Sequence, residues 1–312
     1  MVATTPTPVV RPESATAQQL RGRTTDVTGA VFRGLLMLAL FLTVAVLLVL
    51  LEDVISKGAS VLTGGLGDFL SASRSSSAAR SGVRDALQGT ILIGGLVILL
   101  AFPIGIGAAV YLEQYAPKSR ITRAIDINIR NLAGVPSVVY GLLGLSIFVK
   151  LLEPLTGGTS VLAGGLTMSV LVLPIVIITA AEAIRAVPVS LSEGGFGIGM
   201  TRWEVIRGLV LPYAAPGILT GTVLALMRAL GEAAPLIVVG AVTGLLNVPG
   251  GLMEQLQGKF TALPIYIFAT TKERGDAFEA NTAAAIVVLL VIVLVFNAAA
   301  ILLRNRFEKR RI

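Results

Sequence analysis

Arg228 and Glu232 are the only charged residues in the apolar stretch 214–243, and they stand four positions apart. On a helix that spacing places both on one face. A charge near the bilayer centre costs roughly 2.5–3.5 kcal/mol on insertion scales, so such residues turn toward a bundle interior or a wet path. Two readings follow: a fixed charge lining a route through the protein, or a structural ion pair joining two helices. Gly231 and Pro235 favour the first, because they open the helix where a route could lie. Asn131, Gly134, Pro136 and Ser137 form a second candidate set near the start of another apolar run. There the Gly and Pro could equally shape packing, and Ser137 could bond within its own helix. Glu182 and Arg185 read as interfacial anchors or a local pair.

A different kind of chemistry is written into RAVPVSLSEGGFGIGMTRWEVIRGLVLP, residues 185–212. It is too interrupted by Glu193, Arg202, Glu204 and Arg207 to be a crossing, and too apolar to be an ordinary linker. Pro188 suits the first turn of a helix, which the glycines of 194–199 would end or bend. Thr201 and Glu204 then have the capping-box spacing, in which the Thr hydroxyl serves the Glu amide and the Glu carboxylate reaches back. The helix so started carries Trp203, Val205 and Ile206 to about Gly208, and Pro212 is expected to limit it. The product is a short amphipathic helix bearing the only Trp of the chain. It serves either as an interfacial anchor at headgroup level or as a knob for a groove on a soluble partner.

Other chemistry is excluded by composition. The 312 residues include no Cys and no His, which removes thiol nucleophiles, disulfides, imidazole bases and the common zinc and haem ligand sets. No G-x4-G-K-[ST] loop is present, so the chain lacks the usual means of handling ATP. The formal charge of +7 does not point to nucleic acid, because the basic residues lie in segments between apolar runs.

The elements that must position these residues are bilayer crossings. Hydrophobic residues make up 54% of the chain and charged residues 14%, far too little charge to coat a soluble domain of this length. Runs at 31–51, 89–112, 129–149, 161–184, 214–243 and 283–303 predict an all-α, polytopic transmembrane bundle of about six spans. The run 214–243 is too long for one straight span, so a kink or break is expected near Gly231–Pro235. Residues 1–30 read as a disordered arm before the first helix, 31–51. Residues 52–87 read as an outer loop with a flexible Ser-rich spacer at 71–81, and 304–312 as a basic tail. Within 244–282, FTALPIYIFA (260–269) is too short to cross and is expected to be re-entrant or interfacial, with a plain buried loop helix as the alternative.

Orientation follows from Lys and Arg. With the N-terminus inside, Arg11, Arg21, Arg23, Arg33, Lys118, Arg120, Arg123, Arg130, Arg185, Arg202, Arg207, Arg304, Arg306, Lys309, Arg310 and Arg311 are cytoplasmic. Only Lys57, Arg74, Arg80, Arg84, Lys150, Lys259, Lys272 and Arg274 fall outside. The excess places both termini in the cytoplasm.

The spacing Glu193-Gly194-Gly195-x3-Gly199-x9-Leu209-x-Leu211-Pro212 resembles the loop motif of ABC importer permeases, EAA-x3-G-x9-I-x-L-P. It departs by Gly-Gly for Ala-Ala, which weakens the first helix by roughly 1 kcal/mol per residue, and by Leu209 for Ile. Residues 89–117, 131–149, 227–241 and 260–269 further resemble the A-type permease subunits of phosphate-specific ABC transporters. That resemblance implies a type I importer permease (MetI-like) core over 88–303 in a bacterial plasma (inner) membrane. It makes 185–213 a cytoplasmic coupling loop, with Glu193, Gly199, Thr201, Trp203, Glu204, Leu209, Leu211 and Pro212 as its coupling residues. It implies a C-type permease partner, two ATP-binding subunits carrying ATP and Mg, and an external phosphate-binding protein. No cofactor is expected on this chain. Arg228 would present a bidentate fork to phosphate oxygens, Glu232 would hold it when the path is empty, and Asn131 and Ser137 would join the path. The rivals within the family are a C-type phosphate permease and a permease for another oxyanion. Outside it, an ion-gradient transporter would be expected to show paired repeats with matching broken helices. A membrane enzyme would need a paired catalytic constellation.

Overall fold

The computed structural model describes residues 27–242 and 251–308, all of whose regular structure is helical. The expected arm, except for 27–30, and the end of the basic tail lie outside the described residues. So do the cations Arg11, Arg21, Arg23, Lys309, Arg310 and Arg311. The chain divides into two compact units, Met1–Asp53 and Val54–Ile312. In the first, the described residues are the apolar half of helix α1, Val27–Ser71.

Helix α1 is longer than its hydropathy suggests. It runs for 45 residues, more than twice the ~20 that a hydrocarbon core requires. Residues 52–71, expected as a loop, are its continuation. Glu52, Asp53 and Lys57 mark the exit from apolar surroundings, but none of them breaks a helix, and no proline lies between 31 and 71. The backbone leaves helical geometry only at Gly65.

The Ser-rich patch is likewise ordered instead of a flexible spacer. A short 3-10 turn, Ala78–Arg80, folds back so that the Ser73 hydroxyl bonds Asp85 at 3.1 Å and the Ala78 carbonyl accepts from Asn281 Nδ2 at 2.8 Å. Ser81 Oγ lies 3.3 Å from the Tyr266 hydroxyl, and Arg74 pairs with Glu273. Burial, the largest influence, pushes the Tyr266 phenol above its ordinary value and keeps it a neutral hydrogen-bonding partner.

The remaining helices are α2 (Arg84–Tyr115), α3 (Arg120–Ala133), α4 (Ser137–Leu151), α5 (Val161–Arg185), α6 (Val189–Gly197), α7 (Arg202–Gly231), α8 (Ala234–Val239), α9 (Leu252–Gln257), α10 (Leu263–Thr270) and α11 (Asp276–Glu308). A single turn, Glu153–Thr156, links α4 toward α5. Helices α1, α2, α5, α7 and α11 are each long and apolar enough to cross a membrane, and the bent pair α3–α4 makes a sixth candidate. Within the run 129–149 the structure places a sharp break at Gly134 and Pro136. The first residues of the run end α3, and a bend of 100° separates them from α4. Pro136 lacks the amide that would continue the helix and forces Val135 away from helical geometry.

Helix α5 is the hub, packed by α2, α7, α4 and α3. Its Met168, Val172 and Val176 are fully buried and share a core with Val97, Ala101 and Leu226. Small residues let the backbones approach. A Cβ on Gly221 of α7 would stand 2.2 Å from Thr179 of α5, a distance no real Cβ tolerates. The 260–269 segment contains a short helix, Leu263–Thr270, much of which is buried within the protein. Phe260, Leu263, Ile265 and Tyr266 are all but inaccessible, and the Leu263 amide donates to Thr90 Oγ1 at 2.8 Å.

Candidate functional site

Two places gather the residues singled out by sequence. The first is the loop 186–201 between α5 and α7. Pro188, with φ −57°, ends one segment and starts α6. That helix persists across Gly194 and Gly195 and stops at Gly197. Its end is a Schellman motif: the Gly199 amide donates to the Phe196 carbonyl at 2.9 Å and the Met200 amide to the Gly195 carbonyl at 3.1 Å. Gly199 has φ +85°, the left-handed geometry that this motif demands. Thr201 follows at once as the N-cap of α7. Its amide donates to Glu204 Oε2 at 2.7 Å, and its hydroxyl accepts from the Glu204 amide at 3.4 Å, which is the capping box read from the sequence. The turn between α6 and α7 is thus capped on both sides, and four apolar side chains around it are exposed: Val189, Phe196, Ile198 and Trp203. Glu193 is also exposed.

One expectation about this segment is corrected. The helix begun at Thr201 is not a separate short piece ended by Pro212; it is the first stretch of α7 and continues to Gly231. Residues Ile206–Val210 form a π-type turn immediately before Pro212. This looser winding accommodates the missing amide and the pyrrolidine ring without breaking the rod. Leu209 and Leu211 pack against a cluster containing Ile184, Val205, Val210, Ala214 and Ile218, so the loop is rooted in the ends of the bundle helices.

The last turns of α2 hold both roots of the loop. Glu113 forms an ion pair with Arg185 at the end of α5, with Arg185 Nε donating to Oε2 at 3.3 Å. Two residues on, the Tyr115 ring lies 5.3 Å beneath the Arg202 guanidinium at the start of α7. Glu182 pairs instead with Arg130 of α3, at 3.7 Å. Glu182 and Arg185 therefore join neighbouring helices instead of each other. Sequence reasoning missed Glu113 and Tyr115. A signal existed: Glu113 is the only acidic residue between 86 and 125, at the end of an apolar helix, where a lone carboxylate needs a partner.

The second place is the break in the long apolar stretch. Helix α7 ends at Gly231, Glu232 is extended (φ −89°, ψ 119°), and α8 begins at Ala234. Pro235 cannot donate to the Gly231 carbonyl, and its ring would clash with it, so the break falls where the sequence placed it. Arg228 Nε lies 3.5 Å from Glu232 Oε1, with side chains 43% and 26% exposed. The pair spans the break within one segment instead of bridging two distant helices, and it remains accessible. Helix α4 closes against α8, where a Cβ on Gly141 would come within 2.8 Å of Pro235. No hydrogen bond or ion pair among the described residues joins Asn131 or Ser137 to Arg228 or Glu232. The Asn131 carbonyl caps the end of α3 at 3.1 Å from the Gly134 amide, and Ser137 opens α4.

Comparison with known proteins fits this architecture. Residues 101–312 match the family described as binding-protein-dependent transport system inner membrane component. The chain is 34% identical over 218 residues to a probable ABC transporter permease protein, YqgI, of Bacillus subtilis, covering 70% of this chain and 72% of that one. It is 34% identical over 187 residues to the phosphate transport system permease protein PstA 1 of Mycobacterium tuberculosis, covering 60% and 58%. To PstC 2 of the same organism it is 35% identical over 179 residues, covering 51% and 55%. The chain thus spans a little over half the length of these mycobacterial relatives. Among solved structures it resembles a bacterial ABC transporter involved in the import of alginate, with TM-score 0.58 at 20% identity over 88% of this chain and 98% of that one. It also resembles the MetNI methionine ABC transporter, with TM-score 0.55 at 18% identity over 72% and 94%. At these identities the likeness is one of fold.

Proposed function

The chain belongs to the binding-protein-dependent transport system inner membrane component family, and from that premise we propose that it is the A-type permease of an importer carrying inorganic phosphate into the cell. It acts with a C-type permease, two ATP-binding subunits that supply ATP and Mg, and an external phosphate-binding protein. Both termini lie in the cytoplasm. The observation that carries this reading is the doubly capped turn at 197–204, which presents Phe196, Ile198 and Trp203 while its roots are tied to α2. A rigid apolar knob between two crossings suits a groove on a soluble engine; Gly199, Thr201, Glu204, Leu209, Leu211 and Pro212 hold its shape, and Glu193 is exposed beside it.

Phosphate is supported by the likeness to PstA and PstC and by Arg228, a permanently charged fork at a helix break. The equally close likeness to PstC 2 favours a second reading as the C-type subunit of the same kind of importer. The test is co-purification with the ATP-binding subunit, then uptake of labelled phosphate into vesicles with ATP on the side of the 186–201 loop. Uptake that is unchanged when every ATP-binding partner is absent refutes the proposal. Transport of a different oxyanion, with phosphate excluded, refutes its substrate half.

A further inference from the structure

Helix α3 carries a separate surface that the transport reading does not use. Ile121, Ile125 and Leu132 lie along one side at helical spacing and are 73%, 44% and 47% exposed. Arg120, Arg123, Asp126 and Arg130 occupy the opposite side. The helix is bent 100° from α4, so the two do not continue one straight rod. At its start is a cavity of about 550 Å³, lined by Lys118, Arg120, Arg123, Glu113, Asp126 and Arg185. The two carboxylates there are already neutralised, Glu113 by Arg185 and Asp126 by Arg130 at 3.1 Å. Lys118, Arg120 and Arg123 form no ion pair among the described residues. The cavity lining therefore carries four cations, Lys118, Arg120, Arg123 and Arg185, against two carboxylates, beside a stripe of exposed isoleucine.

We infer that this cleft is a binding site for the headgroup of an anionic phospholipid, with α3 lying in the interface of the leaflet on that side. The charge excess selects a phosphodiester over a zwitterionic headgroup. The Ile121–Ile125 stripe faces the acyl chains, which a free anion or an acidic soluble protein would leave exposed to water. An interfacial helix with basic and apolar faces binds membranes in this way, and each Lys or Arg near an anionic surface contributes roughly a fivefold preference.

The full chain, purified in detergent, is offered phosphatidylglycerol and phosphatidylcholine of identical chains, and retained lipid is counted by native mass spectrometry. Wild type should retain phosphatidylglycerol with a preference of about tenfold or more. K118Q/R120Q/R123Q should fall to near parity, while R120K/R123K keeps the preference and shows that the helix still forms. High salt should erode the wild-type preference, which keeps the test decisive if the triple variant does not fold. Equal retention of both lipids by wild type, a preference that survives the triple substitution, or one indifferent to salt would overturn the inference. Complete displacement of phosphatidylglycerol by millimolar inorganic phosphate would do so as well, by identifying a free-anion site.

Discussion

At Arg228 the structural and transport roles make different demands on the same guanidinium. A structural ion pair needs only a charge near Glu232, whereas an anion path needs a planar fork that can release Glu232 and take up oxygens. Charge-assisted hydrogen bonds are worth roughly 1.5–3 kcal/mol each, so R228Q should lower phosphate uptake per membrane-inserted molecule by about tenfold to a hundredfold. R228K should recover only part of it. Normal uptake per molecule with a reduced amount in the membrane would assign the residue to structure alone. Gly194 and Gly195 offer a second test, since both stand where the family motif has Ala. A Cβ on Gly194 meets nothing within 4 Å, while one on Gly195 comes within 2.9 Å of Leu209 and Val205. G194A should therefore stabilise the local helix by up to about 1 kcal/mol. G195A should gain less or lose stability, because α6 must lift from the root of α7. Thermal unfolding of the purified chain in detergent distinguishes the two.

The elements of the loop 186–201 were legible in proportion to how local their causes are. The capping box depends on two residues three apart and follows from Thr201 and Glu204 alone, whereas the glycines of 194–199 announce an end or bend without fixing its place, which the structure sets at Gly197 to Gly199. The fate of Pro212 does not follow from its neighbours alone, because a proline ends a helix or is absorbed by a π-type turn according to what packs around Ile206–Val210. The end of α1 was hidden for a related reason. Hydropathy reports where surroundings cease to be apolar, and a helix continues past that point when nothing breaks it. Pairings such as Glu113–Arg185 join positions 72 apart in the chain and follow from topology, which local spacing does not encode. They matter for transmission: a loop whose two roots are held by one helix end moves with that helix. E113Q combined with Y115L removes both holds while leaving the knob intact. The transport reading then expects ATP hydrolysis by the assembled complex to continue while phosphate moved per ATP falls several-fold. Loss of both activities together would indicate a failure of assembly. T201A, by contrast, removes a cap worth about 1 kcal/mol and should weaken binding of the ATP-binding subunit itself.

At the scale of the whole molecule the crossings separate two sets of loop cations, and the larger number of Lys and Arg in one set is what predicts orientation. Beyond one end of the bundle Arg74 is paired with Glu273, and Lys272 sits 3.9 Å above the Phe268 ring. At the other end Lys118, Arg120 and Arg123 have no carboxylate partner among the described residues, and the exposed apolar knob lies on the same side. Lys and Arg near span ends tend to be retained inside during insertion, so on the orientation proposed above the second end is expected to be the cytoplasmic one. The natural absence of cysteine makes this directly measurable. Single substitutions Ile198→Cys and Arg274→Cys place one thiol at an 81% exposed knob residue and one at an exposed position in the turn before α11. A membrane-impermeant maleimide applied to intact cells should label R274C and spare I198C, and in inverted vesicles the pattern should reverse. On the proposed function, co-expression of the ATP-binding subunit should then shield the I198C thiol while leaving R274C reactive. Labelling of I198C from outside intact cells would place the knob beyond the reach of any cytoplasmic ATPase, and with it would fall the transport mechanism proposed for this chain.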